Sequence, residues 1–414
     1  MEPEAASQVA RRRSALGVVL AALLHVAACA PAPSQDPDAV KVGLLLPFTG
    51  ACAATSHNFE LAVLFARDQI NAGGGIEGHR VEVVSADTHS DSARARQSVS
   101  ELFAAGVRAV IGPESAEIAA DIRQMLDDHD IVFVSPVVGA ADDQAVSCAT
   151  PWFRLAPSSR ALGEALAKQA RLDLITNAAL FYTDGAYDVA LAAAFRDRFL
   201  SLGGTITVED PLPSGAESYA THIAMDDLSK TEATVLSTSP RDAALLVNEL
   251  RFVDQRRAHW YLSPLLKTDL LLENVAPGAL DGATGVTPKI SDDTADFRTE
   301  FARHWSGEQP LDGAYFYYDA MALTAFGLER AALAGGQPDA TAAAAALRAG
   351  IAASTGSRGE AGGWDDIGTS LHRLHAGVDM YYSGLTGPIL LYDCGDRRSG
   401  ESTTWQVEGG QIQN

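Results

Sequence analysis

Residues 70–87 read INAGGGIEGHRVEVVSAD, and Gly73, Gly75 and Gly78 within them have the spacing G-x-G-x-x-G. That spacing marks a dinucleotide-binding turn only when a strand precedes it and a helix begins inside it, so that helical N–H groups point at a pyrophosphate. Here the order is inverted. Upstream, NFELAVLFARDQI places Phe59, Ala62, Val63, Ala66 and Ile70 at i, i+3, i+4, i+7 and i+11, one apolar face of a helix. Downstream, RVEVVSAD is short and β-branched, as a buried strand is. The glycines therefore end a helix, where a residue with φ > 0 is needed. The nucleotide reading falls, and no cofactor is expected. A helix-to-strand turn that follows the earlier strand KVGLLLPF is half of an α/β unit.

The 414 residues suffice for two or three domains, and 47% hydrophobic with 20% charged residues is a globular composition. A formal net charge of −22 argues against nucleic acid or anionic membrane surfaces as partners. At the start, Arg11, Arg12 and Arg13 precede the apolar run ALGVVLAALLHVAA, short for a bilayer span but suited to a signal peptide over residues 1–28. Val26-Ala27-Ala28-Cys29 resembles the lipobox of bacterial lipoproteins, in which the cysteine is acylated and becomes the first mature residue. The expectation is an extracytoplasmic protein, in the periplasm or at the cell surface, anchored to the membrane through lipidated Cys29. Residues 29–39, Pro-rich and apolar-poor, read as a tether. Cys52, Cys148 and Cys394 remain in an oxidising compartment, an odd number.

Strands are expected at 41–47, 80–86, 107–111 and 131–135, alternating with helices at 58–71, 91–105 and 115–128. The pattern repeats with strands at 178–182, 204–209, 233–238 and 258–262 and helices at 158–170, 186–201, 218–229 and 240–254. Strict alternation implies parallel sheets covered on both faces, here two of them. Helices near 294–305, 313–334 and 338–352 follow and can pack on the first sheet, and the tail from Thr386 returns to short strands.

KVGLLLPFTG, INAGGGIEGHRVEVVSADTHSDSARA, GVRAVIGPESAEIAADI, IVFVSP, PWFRLAPSSRALG, YYDAMALTAFGLERA and YSGLTGPILLYDCGD succeed one another as the corresponding segments do in leucine/isoleucine/valine-type, or type 1, periplasmic solute-binding proteins. The chain resembles that family over nearly all of residues 40–410. The resemblance implies two Rossmann-like α/β lobes joined by three crossover strands, closing on a small polar solute that is passed to an ABC importer. It implies an N-terminal lobe of 40–152 and 284–400 and a C-terminal lobe of 153–283 and 401–414. It also places Cys148 just before the first crossover and Cys394 just before the third, so a bridge between them is expected there.

Open α/β sheets bind ligands outside the carboxyl ends of their strands, where N–H groups at helix starts are free. In VIGPESAE, Ser115 opens a helix, and its hydroxyl with the N–H groups of Ala116 and Glu117 is a candidate carboxylate site; Ser is equally a common N-cap. The family's G-P-x-S loop contacts its ligand, which favours the binding role. Where family members often have Ala-Thr, this chain has Val138-Gly139, so a hydroxyl that assists in grasping an amino acid is missing. Tyr187 stands where the family presents an aromatic, and Thr49, Ala51 and Cys52 border the same cleft. Lys267 and Asp269 lie where the second lobe supplies specificity.

Asp87, His89 and Asp91 alternate at a strand end, and His372 and His375 sit three apart on a probable helix; both sets supply too few donors, and no metal site is expected. No nucleophile elbow, zinc-protease or P-loop motif occurs, so catalysis has no candidate residue. Two further readings stand beside the importer receptor: a lipoprotein of the same fold that senses a ligand for a membrane partner, and an enzyme.

Overall fold

The computed structural model describes residues 38–50, 53–137, 152–253, 259–292, 294–335, 339–398 and 401–413. The chain runs β1 (Val40–Leu46), α1 (Ser56–Ala72), β2 (Val81–Asp87), α2 (Ser92–Ala104), β3 (Ala109–Ile111), α3 (Ala116–Asp128), β4 (Val132–Ser135) and β5 (Phe153–Arg154). A second run follows: α4 (Ser159–Leu172), β6 (Asn177–Thr183), α5 (Ala186–Ser201), β7 (Thr205–Leu212), α6 (Ala220–Met225), β8 (Ala233–Ser237), α7 (Pro240–Val253), β9 (His259–Leu262), α8 (Asp269–Asn274) and β10 (Thr284–Pro288). Then come α9 (Ala295–His304), α10 (Asp312–Leu333), α11 (Ala340–Ala353), β11 (Glu360–Gly362), α12 (Ile367–His375), β12 (Met380–Gly384), β13 (Gly387–Pro388), β14 (Ser402–Glu408) and β15 (Gln411–Gln413).

The first sheet has the order β2-β1-β3-β4-β5, with every pair parallel. The second has the order β15-β14-β10-β9-β8-β6-β7; its core is parallel, and β14 and β15 add antiparallel at one edge. β11, β12 and β13 form a small third sheet. Parallel strands covered on both faces lose their polar-apolar alternation, which is why β1 is buried at Val42, Leu44, Leu45 and Leu46 without interruption.

The expected glycine turn closes α1. The N–H of Gly75 donates to Ile70 O at 3.0 Å and that of Gly74 to Asn71 O at 3.2 Å, a Schellman pair with Gly74 at φ +107°. Gly73 differs from the expectation: its φ is −80°, and it is glycine because a Cβ there would stand 2.3 Å from Gly368 Cα, where α12 meets α1. The helix expected over 218–229 is also shorter. α6 ends at Met225 because Asp226 turns extended, and Asp227 instead caps the separate 3-10 turn Leu228–Lys230.

α9 to α12 pack on the first sheet. Phe297 and Phe301 of α9 and nearly the whole of α10 share one core with Val42 and Leu44 of β1. α10 is buried all round from Ala314 to Glu329, as an apolar helix between a sheet and other helices must be. Three links join the lobes. β5 pairs in the first sheet and leads to α4 on the second; β10 pairs in the second and leads to α9 on the first; residues after Leu391 lead to β14. The first two links open with β5 at Phe153 and β10 at Thr284. The links run side by side, with the Arg154 N–H donating to Gly395 O (2.9 Å) and that of Lys289 to Glu401 O (2.8 Å). No helix among the described residues is long and apolar enough to cross a membrane.

Candidate functional site

Because the strands of the first sheet and those of the core of the second are parallel and in register, their carboxyl ends emerge together and the loops after them line one edge of each lobe. The two edges face each other. Gly185, which caps α5, lies so close to the start of α3 that a Cβ added to it would stand 3.9 Å from Glu117 Oε1. On the same side of the molecule Lys267 Nζ of the second lobe donates to Asp312 Oδ2, the first residue of α10, at 2.7 Å.

Ser115 is the N-cap of α3: its hydroxyl accepts from the Ile118 N–H at 3.4 Å and donates to Glu117 Oε2 at 2.7 Å. The structure thus shows the capping role; the N–H groups of Ala116 and Glu117 belong to the first turn, which has no intrahelical partners for them. The loop before it is fixed by Gly112, at φ +119°, where a Cβ would stand 2.1 Å from Leu45 O. Glu114 follows, a residue the sequence reading passed over. Both of its carboxylate oxygens are buried without a hydrogen-bond partner among the described residues. Burial pushes its pKa up to about 7 and the charge of Asp87 adds to this, although its own N–H and the Thr88 hydroxyl lie near enough to offset part.

On the second lobe, Tyr187 is half-buried on the first turn of α5, and burial, with the neighbouring Asp188, raises its phenol pKa. Asp188 is 8% exposed and accepts from Thr183 Oγ1 (2.8 Å) and Ser237 Oγ (2.9 Å). Burial pushes its pKa up to about 6; the two hydroxyls oppose that shift, and the charges of Glu117, from the other lobe, and Asp242 add to it. Sequence reasoning missed Asp188 because an acidic residue in the first turn of a helix is ordinary dipole pairing. Its flanking strand ends, each closing on a hydroxyl residue (Thr183, Ser237), are the signal that was available.

Thr49 is exposed, and its hydroxyl lies 2.7 Å from Asp87 Oδ2 and 2.7 Å from His89 Nδ1, within its own lobe. Against the opposing effect of burial, the His89 N–H and the Thr49 hydroxyl and N–H, all donating to its carboxylate, hold Asp87 below the usual carboxylate range. Asp91 caps α2 through the Arg94 N–H, and His375 Nδ1 sits 2.6 Å from Glu329. No cluster of three or more His, Cys, Asp or Glu side chains among the described residues is arranged to hold a metal. Asp269 begins α8, which Thr268 caps. Cys29, Ala51, Cys52, Val138, Gly139 and Cys148 lie outside the described residues. Cys394 is disulfide-bonded.

Behind the cleft a buried network ties the crossovers to α10. Asp319, fully buried, accepts from Tyr382 Oη (2.7 Å), the N–H groups of Leu385 and Thr386 (2.9 Å each) and Thr386 Oγ1 (2.7 Å). Arg397 donates to Leu155 O (2.7 Å), Thr386 Oγ1 (3.1 Å), Thr386 O (2.6 Å) and Pro388 O (3.1 Å). Arg154 pairs with Asp396 and lies over the Trp152 ring at 4.7 Å.

The model of the periplasmic binding protein family matches residues 39–372. A Leu/Ile/Val-binding protein, BraC3, of Rhizobium johnstonii is 25% identical over 226 residues, 54% of this chain and 61% of that protein, so the match spans less than two thirds of that relative. The chemotactic signal transduction system substrate-binding protein BasB of Halobacterium salinarum is 25% identical over 367 residues, 85% of this chain and 83% of that one. Among solved structures, the leucine binding protein LivK of Thermotoga maritima superposes with a TM-score of 0.71 at 18% identity, covering 90% of this chain and 97% of that one. At that identity the likeness concerns the fold, which is the type 1 periplasmic-binding-protein fold.

Proposed function

Because this chain belongs to the periplasmic binding protein family, we propose that it captures a small polar solute, an amino acid or a related compound, between its lobes and delivers it to an ABC importer. The family places it outside the cytoplasm. The observation that carries the reading is the apposition of two helix starts across the cleft, α3 at Glu117 and α5 at Gly185, each following a parallel strand end. In this reading the lobes are 40–152 with 284–400 and 153–283 with 401–414. Ser115 and the N–H groups of Ala116 and Glu117 hold the solute from one side and Tyr187 closes on it from the other, with Thr49, Cys52, Val138 and Gly139 as further ligand-binding candidates that the family resemblance supports.

The three adjacent crossovers form the hinge. A ligand favours the closed state only through contacts it makes with both lobes. Binding to the native state raises the unfolding free energy by about 2.7 kcal/mol at a hundredfold excess over Kd, so a thermal-shift screen of amino acids and related solutes finds the ligand. Calorimetry on wild type, Ser115→Ala and Tyr187→Ala then tests the site; unchanged affinity in both discards it. Uptake of that solute, lost when the gene is deleted, tests import.

Anchoring through acylated Cys29 belongs to the same reading, supported by the apolar stretch and small residues before it. Cys29→Ser is expected to release the protein from membranes. The similarity to BasB, a substrate-binding protein of a signal transduction system, favours one alternative: ligand sensing for a membrane partner without import. Solute binding with normal uptake in the deletion strain is the outcome that selects it.

A further inference from the structure

The floor of the first-lobe side of the cleft contains polar groups that the described protein leaves without partners. Glu114 follows the Gly112-Pro113 turn at the end of β3, three residues before Glu117, the side chain that approaches Gly185 of the other lobe. Among the described residues neither oxygen of its carboxylate is within hydrogen-bond distance of a donor, and both are buried, with the Thr88 hydroxyl the nearest polar side chain to act on them. Independently, Tyr317 of α10 is fully buried and its hydroxyl has no partner among the described residues. Its ring stacks on Phe59 at 4.7 Å, which fixes where the hydroxyl stands. Burial first, and then the charge of Glu114, raise the Tyr317 pKa, so the phenol lies within electrostatic range of that carboxylate. A buried carboxylate and a buried phenol left open are costly unless something satisfies them.

The surroundings specify the sign of what would satisfy them. Asp87, at the end of β2 on the far side of β1, is the charged group whose field acts on Glu114, and it is negative. Glu117 and Asp188 add two more carboxylates where the lobes meet. The basic side chains at these edges are already engaged: His89 with Asp87 and Thr49, Arg241 with Asp242, and Lys267 with Asp312. The Ser115 hydroxyl is given to Glu117.

We propose that the captured solute carries a positively charged nitrogen, an ammonium or guanidinium, which docks on the Glu114 carboxylate beside the Tyr317 hydroxyl, so that the site rejects solutes whose only charge is a carboxylate. This rests on the solute-binding reading above. The nitrogen supplies donors to both Glu114 oxygens and to the phenol oxygen, and its charge is opposite to that of the four carboxylates around it. A zwitterionic amino acid fits with its ammonium on Glu114 and its carboxylate on the neighbouring N–H groups of Ala116 and Glu117.

The test uses the full chain and two probe sets: L-arginine, L-lysine, L-leucine, agmatine and putrescine, each with a cationic nitrogen, against 4-methylpentanoate, benzoate and glutarate. Members of the first set are expected to bind and those of the second not. Glu114→Gln, which keeps the shape, is expected to weaken the cationic probe at least tenfold, and Tyr317→Phe to weaken it less. Because the group titrates near pH 7, wild-type affinity for that probe is expected to rise about tenfold between pH 6 and pH 8 as the competent, ionised fraction grows, a rise lost in Glu114→Gln. Binding of carboxylate-only probes, or cation affinity unchanged in Glu114→Gln, overturns the inference and leaves solute binding standing. Failure of every probe in both sets overturns this inference together with the reading on which it rests.

Discussion

Asp319→Ala removes the one acceptor shared by four donors in a site without water access. Two of the donors, the Tyr382 and Thr386 hydroxyls, can rotate toward other acceptors; the backbone N–H groups of Leu385 and Thr386 cannot. Each stranded N–H costs about 1–3 kcal/mol, giving roughly 2–6 kcal/mol for the pair. Against this, the variant no longer buries a carboxylate that burial itself disfavours, as the raised pKa of Asp319 shows. A net loss of about 3 kcal/mol is therefore expected, near the lower end of what breaking a buried charged network costs. With an m-value near 3 kcal/mol per M, the urea midpoint of the first lobe falls by about 1 M, read by tryptophan fluorescence. The damage also spreads to the hinge, because Thr386 shares its hydroxyl with Arg397, which in turn holds Leu155 O. Faster amide exchange at Leu155 and Arg398 is the second readout. Gly384→Ala serves as an independent probe, since its Cβ would stand 2.6 Å from Asp319 Oδ2. A midpoint shift below about 0.3 M in Asp319→Ala, with unchanged exchange at the hinge, refutes the assignment of this network to hinge support.

The Lys267–Asp312 pair bridges the lobes with side chains 12% and 48% exposed, so a double-mutant cycle with Lys267→Met and Asp312→Asn is expected to give a coupling of about 0.2–1 kcal/mol that fades with salt. Larger dimensions of the ligand-free single mutants in solution scattering accompany it, and strictly additive effects refute a bridging role. The carboxyl of Asp188 titrates near 6 when folded, above its ordinary value of 3.8, so the native state holds a proton that the unfolded chain has lost. Its stabilising contribution is complete below about pH 4 and disappears as pH rises through 6; the stability difference between wild type and Asp188→Asn must fall across that window, and a flat difference contradicts the burial argument. Gly395, beside the bonded Cys394, packs on the Trp152 carbonyl, four residues after Cys148, which supports the bridge Cys148–Cys394. Non-reduced peptide maps are expected to link those two, and a link from Cys394 to Cys52 excludes it.

Apart from the two-residue β5 and the break after Met225, the order of strands and helices through residue 262 was legible in the sequence, because β-branched runs and 3.6-residue periodicity act over a few neighbouring residues. So were the helix starts at Ser115 and Tyr187, since caps and first turns are local. The short elements α8, β11 and β12 were not, because three to six residues carry too little periodicity to register. The site divides along the same line. Glu114 and Asp188 read as solvated surface charges in a strongly acidic chain; their burial arises only when strand ends from distant segments converge and helices cover them. Lys267 stood out in the sequence, but its partner lies 45 residues away on the other lobe, and Asp319 takes its donors from 63 to 67 residues downstream. Sequence by itself determined which of the longer segments become strands and helices and that two parallel sheets form. Tertiary structure decided which charges lose their water and which partners they find, because desolvation and ion pairing depend on distances that only chain crossing sets.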